Sequence, residues 1–377
     1  MSRIPIACVL CVAVAAAPPV PSAPDPPPKD LATFFRPPAK FAGDLGAYRS
    51  PLTFDDGTPV RTAKDWGRRR AEVLKYWHAA MGAWPPVAER PKVELGKAEK
   101  RDGFTQHRVR IEVAPKVMAD DVYLLVPDGK GPFPAVLVVF YDAATGASLA
   151  RPATNADYAY QLARRGFVTL SVGGPPGMPA AKDGPPLQPL SYAAFVAANC
   201  YQALAAMPEV DPNRVGVVGL SYGGKWAMFA SCLYEKFACG VWSDPGVVFD
   251  EKRPNVNYWE PWYLGLEPGT GKRTPGVPSD NNPRTGPYKK MIADGRDLHE
   301  LHALMAPRPF LVSGGSEDPP ERWKALNHAV AVNDLLGYRD RVAMTNRPGH
   351  IPTAEANDQV YRFFEYVLKP AAPPGKP

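Results

Sequence analysis

Outside its N-terminal apolar run, the sequence has few cysteines, and none has the spacing of a metal-binding motif. Five cysteines occur among 377 residues. Cys8 and Cys11 lie within the apolar run, which leaves Cys200, Cys232 and Cys239 for the rest of the chain. The six histidines do not cluster with these three cysteines. We therefore expect no structural metal, no cofactor and at most one disulfide within the mature chain.

The sequence also has no strong excess of either charge sign. Lys and Arg total 44 against 38 Asp and Glu, a formal net charge of +6. So mild an excess is not typical of a nucleic-acid-binding surface, and the basic run Arg68–Arg70 reads most simply as the solvated face of a helix. We expect no nucleic-acid partner.

Long apolar runs are absent beyond the first residues. Met1–Ala17 is a short basic end followed by an apolar segment that is too brief to cross a bilayer comfortably. This pattern is typical of a secretory signal peptide with cleavage near Ala17 or Ala23, and a buried N-terminal helix is the alternative. The sequence therefore predicts a secreted or periplasmic protein with no membrane partner. It leaves the oligomeric state open.

Proline, by contrast, is abundant, with 46 residues. Prolines crowd the segments just after the apolar run and at the C-terminus, where packing into a core is difficult. We expect a signal peptide over 1–23, a Pro-rich linker over 24–40, one domain over 41–369 and a disordered tail over 370–377.

The most informative motif is Gly219-Leu-Ser221-Tyr-Gly223. An apolar β-run precedes it and an Ala-rich helical segment follows, which is the context of a nucleophile elbow. A structural Gly-rich turn is the plain alternative. The same residues also fit the phosphate-binding pattern G-x-x-x-x-G-K, but Trp226 stands where that loop needs Ser or Thr. We therefore interpret Ser221 as a nucleophile.

The pattern around this motif predicts an α/β fold. Apolar runs over 134–141, 166–172, 214–220, 238–243, 308–313 and 341–346 alternate with helical segments. Right-handed crossovers then give a mostly parallel central sheet with helices on both faces. Shorter β-runs between residues 92 and 126 predict antiparallel hairpins at its entry.

One connection, about 247–301, is too long for a plain loop and predicts a lid. It contains Asn257-Tyr-Trp-Glu-Pro-Trp-Tyr263, a cluster of four aromatic residues. Trp259 and Trp262 are candidates for binding a sugar ring or an aryl group, and packing of the lid onto the domain is the alternative.

A serine nucleophile needs a base and an acid near the carboxyl ends of neighbouring strands. His350, in a Pro-Gly-His turn before the last helix, is the best candidate base among the histidines. Asp318 is the first candidate for the acid, with Glu317 and Asp244 as alternatives. The backbone N–H groups of Tyr222 and of the Tyr141 region are the candidate oxyanion donors.

These features resemble the α/β-hydrolase superfamily over roughly residues 90–368. Within it, the pattern is similar to secreted bacterial carbohydrate esterases: acetyl xylan esterases, dienelactone-hydrolase-like proteins and glucuronoyl esterases. The last family carries G-x-S-R-x-G-K, matched here by Gly219, Ser221, Gly224 and Lys225. The resemblance implies that Lys225 faces the sugar and that an acid can stand near Asp244. Tyr222 occupies the position at which the family has an arginine that assists the oxyanion.

The expected function is that of a secreted serine esterase. It would act on a small-molecule or polysaccharide ester through an acyl-enzyme, without metal or cofactor. A peptidase of the prolyl-oligopeptidase type shares the triad order, although the sequence has no propeller-length N-terminal domain. An inactive carbohydrate-binding relative is the other alternative.

Overall fold

The computed structural model describes residues 26–150, 155–176, 187–269 and 273–369. The predicted signal peptide (1–23) and the predicted disordered tail (370–377) lie outside the described residues.

Within these ranges, ten strands form one sheet. The strands are β1 (Val93–Lys100), β2 (Phe104–Ala114), β3 (Val117–Ala119), β4 (Val122–Pro127), β5 (Phe133–Val139), β6 (Val168–Val172), β7 (Val210–Leu220), β8 (Cys239–Ser243), β9 (Phe310–Gly314) and β10 (Val342–Asn346). Across the sheet their order is β1-β2-β4-β6-β5-β7-β8-β9-β10, with β3 paired to β2.

The sheet is antiparallel at its entry and parallel elsewhere. The pairs β1–β2, β2–β3, β2–β4 and β4–β6 are antiparallel. From β6 through β5, β7, β8 and β9 to β10, every neighbouring pair is parallel. The predicted α/β class with a mostly parallel central sheet is therefore confirmed. All the parallel strands end at one edge, where a site can form.

Helices cover both faces of this sheet. They are α1 (Lys29–Ala32), α2 (Ala63–Met81), α3 (Ala143–Gly146), α4 (Tyr158–Ala163), α5 (Pro189–Ala205), α6 (Tyr222–Leu233), α7 (Gly286–Ala293), α8 (His299–Ala303), α9 (Trp323–Leu335) and α10 (Ala354–Leu368). Strand β5 shows why two layers form. Leu137 and Val139 join the hydrophobic core that holds α2, α5 and α6, while Val136 and Val138 join the core that holds α4 and α10.

Residues 29–41 differ from the expected linker. They form α1 and two short 3₁₀ turns, in which Leu31, Phe35 and Phe41 are buried. The ring of Phe35 lies 6.3 Å from that of Phe363 in α10. Burying such a side chain contributes about 1.5–3 kcal/mol, which holds the segment on the domain despite its prolines. The predicted linker over 24–40 is therefore wrong from residue 29 onward.

The remaining expectations concern cysteines, membrane segments and the insertion. Cys200, Cys232 and Cys239 are each buried and free. In the part of the chain that the structure describes, no helix combines the length and apolarity of a membrane span.

The insertion over 247–301 runs mostly through turns and contains α7. Its role as a lid stays a prediction.

Candidate active site

Ser221 lies at the sharp turn between β7 and α6. Its backbone angles are φ 59° and ψ −114°, a conformation that costs a residue other than glycine about 1–3 kcal/mol. Its N–H donates to the carbonyl oxygen of Ser243 at 2.9 Å, which ties the turn to the end of β8. The turn has the strained strand-to-helix form of a nucleophile elbow.

Two glycines make this turn possible. A Cβ added to Gly219 would lie 2.2 Å from the carbonyl oxygen of Gly223, and one added to Gly223 would lie 2.1 Å from that of Val139. Neither contact is tolerable because both involve backbone atoms. Glycine at these positions therefore lets strand and helix approach closely enough to present Ser221.

His350 and Asp244 form a short hydrogen-bonded pair. His350 Nδ1 lies 2.7 Å from Asp244 Oδ2. The Asp244 side chain is fully buried, whereas that of His350 is 29% exposed. Asp244 directly follows Ser243, and Ser243 pairs with Leu220 next to Ser221. The fold therefore places Asp244 at the end of the strand beside Ser221 and the imidazole of His350 against the Asp244 carboxylate.

The loop that carries His350 crosses the end of β9 to reach Asp244. Gly315 marks the crossing. A Cβ added there would lie 2.4 Å from the carbonyl oxygen of Gly349 and 2.7 Å from Asp244 Oδ2. A side chain at this position would push the histidine loop away from the acid.

Asp318, the first candidate for the acid, has other partners. Its carboxylate accepts hydrogen bonds from the N–H groups of Gly246 at 2.8 Å and Val247 at 2.6 Å. Burial raises its pKa to about 6, and the nearby Asp244 adds to the rise. In the structure the pairing expected between Asp318 and His350 is made by Asp244. Both acids end neighbouring strands, so spacing along the chain could not choose between them.

Glu317, the other alternative, lies close to the pair. Its Oε1 accepts from Asn255 Nδ2 at 3.2 Å and from Ser316 Oγ at 3.0 Å. Asp244, Glu317 and His350 each offer a ligand atom within 4.8 Å of the others. The short hydrogen bond between the imidazole and Asp244 already joins two of these three side chains, an arrangement that fits acid–base chemistry.

An open cavity of about 860 Å³ adjoins the elbow. Aromatic rings, prolines and one amide line it: Tyr141, Gly174, Pro175, Pro189, Tyr192, Tyr222, Asn257, Pro261, Trp262 and Tyr263. Trp262 is 47% exposed. Flat apolar faces of this kind suit a sugar ring or an aryl group.

The two candidate oxyanion donors, the N–H groups of Tyr222 and Tyr141, belong to residues that line this cavity. Tyr222 is the first residue of α6, so its N–H has no acceptor within the helix. Tyr141 follows β5, and its ring centroid lies 5.0 Å from that of Tyr222. Burial raises the pKa of Tyr222 to about 12, so its phenol stays protonated at neutral pH.

Lys225 occupies a different place from the one the resemblance implies. It is 2% exposed, and its Nζ donates to the carbonyl oxygens of Pro245 at 2.6 Å and Asn255 at 3.3 Å. Burial lowers its pKa to about 8, against the opposing effect of nearby carboxylates. The residues that line the cavity do not include Lys225. Its ammonium instead holds the loop after β8.

The two tryptophan candidates separate. Trp262 lines the cavity, whereas Trp259 is 1% exposed and donates its indole N–H to Glu260 Oε1 at 3.0 Å. Trp259 belongs to the hydrophobic core, so the expected contact of Trp259 with substrate is not available in this arrangement. The spacing of the aromatic residues in the sequence could not show that Trp259 is buried and Trp262 exposed.

Sequence reasoning missed Arg347. Its guanidinium donates to the backbone oxygen of Ser313 at 2.7 Å and to that of His350 at 2.5 Å. It thereby fixes the histidine loop to the end of β9. The signal was an arginine three residues before the histidine in Arg347-Pro-Gly-His350. Asn257, Tyr192 and Tyr263 were likewise not singled out as cavity residues.

Comparisons with known proteins agree with this architecture. No family model matches the chain. A 4-O-methyl-glucuronoyl methylesterase of Neurospora crassa is 25% identical over 356 residues, covering 86% of this chain and 83% of that protein.

Solved structures show the fold. The glucuronoyl esterase from Solibacter usitatus superposes with a TM-score of 0.65 at 20% identity, over 86% of this chain and 99% of that one. A structure described as a putative acetyl xylan esterase from Bacteroides fragilis gives a TM-score of 0.53 at 16% identity, over 82% and 80%. The chain has the α/β-hydrolase fold of these carbohydrate esterases.

Proposed function

We propose that this protein is a serine carboxylic ester hydrolase that acts on carbohydrate esters. Ser221 is the nucleophile, His350 the general base and Asp244 the acid partner. One observation carries the proposal: a serine held at φ 59° on an elbow stands beside a strand end whose acid pairs with a histidine at 2.7 Å. A serine at a strained strand-to-helix turn is the form in which a nucleophile elbow presents its hydroxyl.

The hydrogen bond between His350 and Asp244 supports the following sequence of steps. Asp244 accepts the Nδ1–H of His350, which leaves Nε2 free to take the proton of Ser221 Oγ. The alkoxide attacks the ester carbonyl, and the N–H groups of Tyr222 and Tyr141 stabilise the oxyanion. His350 then returns its proton to the leaving alcohol. Water, deprotonated by the same imidazole, releases the acid from the acyl-enzyme.

The cavity supports a ring-bearing substrate. Its aromatic lining can stack on a sugar while the ester lies at Ser221. The name of the Neurospora crassa relative makes a methyl ester of 4-O-methylglucuronate the first substrate to assay. Acetylated xylan is the second substrate to assay, because Tyr222 stands where glucuronoyl esterases have an arginine that assists the oxyanion.

The proposed site of action is outside the cytoplasm, and N-terminal sequencing of the protein recovered from its source would test this.

The direct test is Ser221→Ala. We expect turnover of every ester substrate to fall by at least ~10³-fold, and labelling by a fluorophosphonate at residue 221 to disappear. Ser148→Ala is the matched control because Ser148 also has a positive φ, 58°, but follows α3 and is not part of the turn between β7 and α6. It should keep wild-type activity. Retained turnover in Ser221→Ala would reject the proposal, and cleavage of prolyl peptides but not esters would favour a peptidase.

A further inference from the structure

We propose that Asp318 is a positioning residue that holds the loop after β8 and so keeps Asp244 against His350. The inference rests on the proposed esterase function, in which Asp244 is the acid partner of the base. In this role Asp318, in the turn after β9, needs no contact with the imidazole of His350.

Asp318 accepts two hydrogen bonds from the loop after β8. Its Oδ2 accepts from Gly246 N at 2.8 Å and its Oδ1 from Val247 N at 2.6 Å. These N–H groups lie two and three residues after Asp244, in the loop that begins with it. Each oxygen of one buried carboxylate thus fixes one peptide of that loop.

Asp244, in turn, accepts hydrogen bonds from the loop that carries Asp318. Asp244 Oδ1 accepts from Gly315 N at 2.7 Å, Glu317 N at 3.1 Å and Asp318 N at 2.9 Å. Each acid therefore holds the backbone of the loop that carries the other. Loosening either loop would release the carboxylate that holds its neighbour, so the two strand ends form one cooperative unit.

The backbone of the β8 loop needs such support. Asp244 has φ 48° and Gly246 has φ 77°, so two of its three first residues lie in the left-handed region. For Asp244 this conformation is uncommon, so surrounding contacts help to hold it. Asp318 accepts the N–H groups of the Pro245–Gly246 and Gly246–Val247 peptides, and Lys225 donates to the carbonyl oxygen of the first of these peptides.

The electrostatic setting also favours a positioning role. Two fully buried carboxylates this near each other repel, and the pKa of Asp318 is raised by burial and by Asp244. Arg322 Nε, 3.5 Å from Asp318 Oδ1, and the buried ammonium of Lys225 compensate. The negative charge of Asp318 also acts to raise the pKa values of Tyr258 and Arg347. The Asp318 carboxylate is thus held by two peptide N–H groups and by Arg322, the partners that a buried charge requires.

The first experiment is Asp318→Asn, which conserves shape. The amide oxygen can stay with Val247 N–H and Arg322, but the amide nitrogen then faces Gly246 N–H, a donor against a donor. We expect kcat to fall about 10- to 100-fold with KM within about twofold, since a displacement of the order of 1 Å can cost 10²-fold. The downfield proton resonance of the His350 Nδ1–H should weaken with it. Asp318→Ala, which loses both acceptors, should lower kcat further.

Asp297→Asn is the matched control. Asp297 is another buried carboxylate that accepts two backbone N–H groups, from Phe249 at 2.9 Å and Leu298 at 2.5 Å, and burial raises its pKa to about 7. Its partners do not include the loop peptides that Asp318 holds. Asp297→Asn should change thermal stability by a similar amount but leave kcat within about twofold.

A double-variant cycle separates positioning from direct catalysis. If Asp318 acts through Asp244, adding Asp318→Asn to Asp244→Asn should lower kcat by less than about twofold more. Fully additive losses would overturn the inference, as would a kcat for Asp318→Asn equal to that of Asp297→Asn. A loss in Asp318→Asn that exceeds that in Asp244→Asn would make Asp318 the acid itself and also overturn it. The serine variant reports on the esterase function independently, because only its retained turnover would reject that function.

Discussion

Replacing Asp244 with asparagine should disable the base by fixing the wrong tautomer of His350. The hydrogen bonds around Asp244 determine how the new amide lies. Oδ1 accepts three backbone N–H groups, from Gly315, Glu317 and Asp318, whereas Oδ2 lies 2.7 Å from the imidazole and shares only the Glu317 N–H, at 3.3 Å. The amide oxygen must take the position with three donors, and the amide nitrogen then faces His350 Nδ1.

This orientation reverses the hydrogen bond to the imidazole. An NH₂ group donates, so Nδ1 becomes the acceptor and the proton moves to Nε2. Nε2 is the atom that must accept the proton of Ser221. The same change in a serine protease triad lowers kcat by ~10⁴-fold with the geometry intact, which corresponds to about 5.4 kcal/mol of transition-state stabilisation.

The assay is steady-state hydrolysis of the best ester in the panel. We expect kcat to fall by about 10³- to 10⁴-fold and KM to change little, since Asp244 is fully buried and does not line the cavity. Far-ultraviolet circular dichroism should be unchanged, and Asp297→Asn provides the same substitution at another buried site. A kcat within tenfold of wild type would refute the assignment of Asp244, and a deeper loss in Glu317→Gln would transfer the role to Glu317.

Two further substitutions test the cavity and the buried lysine. Trp262→Ala should raise KM about 2- to 12-fold with kcat nearly constant, the equivalent of the 0.5–1.5 kcal/mol of one aromatic contact. Tyr338→Ala removes another partly exposed ring that does not line this cavity and should change nothing; an unchanged KM for Trp262→Ala would remove that ring from the binding site. Lys225→Met should release the carbonyls of Pro245 and Asn255 and so lower kcat about tenfold. This loss corresponds to about 1.4 kcal/mol of transition-state stabilisation. Its KM should stay within about twofold, whereas a KM raised more than tenfold would show that the ammonium binds the sugar.

The sequence permits prediction where the signal is local. The strand and helix flanking Ser221 have the required periods, and the paired glycines have a steric reason that needs no knowledge of the rest of the fold. The position of His350 follows from chain order and from its turn before the last helix. Lys225 and Trp259 could not be placed in this way, because burial on a helix or within a turn-rich insertion depends on what packs against each face.

The choice among Asp244, Glu317 and Asp318 depends on the order of strands across the sheet. Strand β8 lies between β7 and β9, so an acid after β8 adjoins the nucleophile directly. The histidine comes from beyond β10 and must pass over the end of β9 to meet it. This crossing leaves no space for a Cβ at residue 315. The glycine at 315 therefore has a steric reason, but that reason becomes visible only once the order of strands is known, which is why the sequence alone leaves the three acids open.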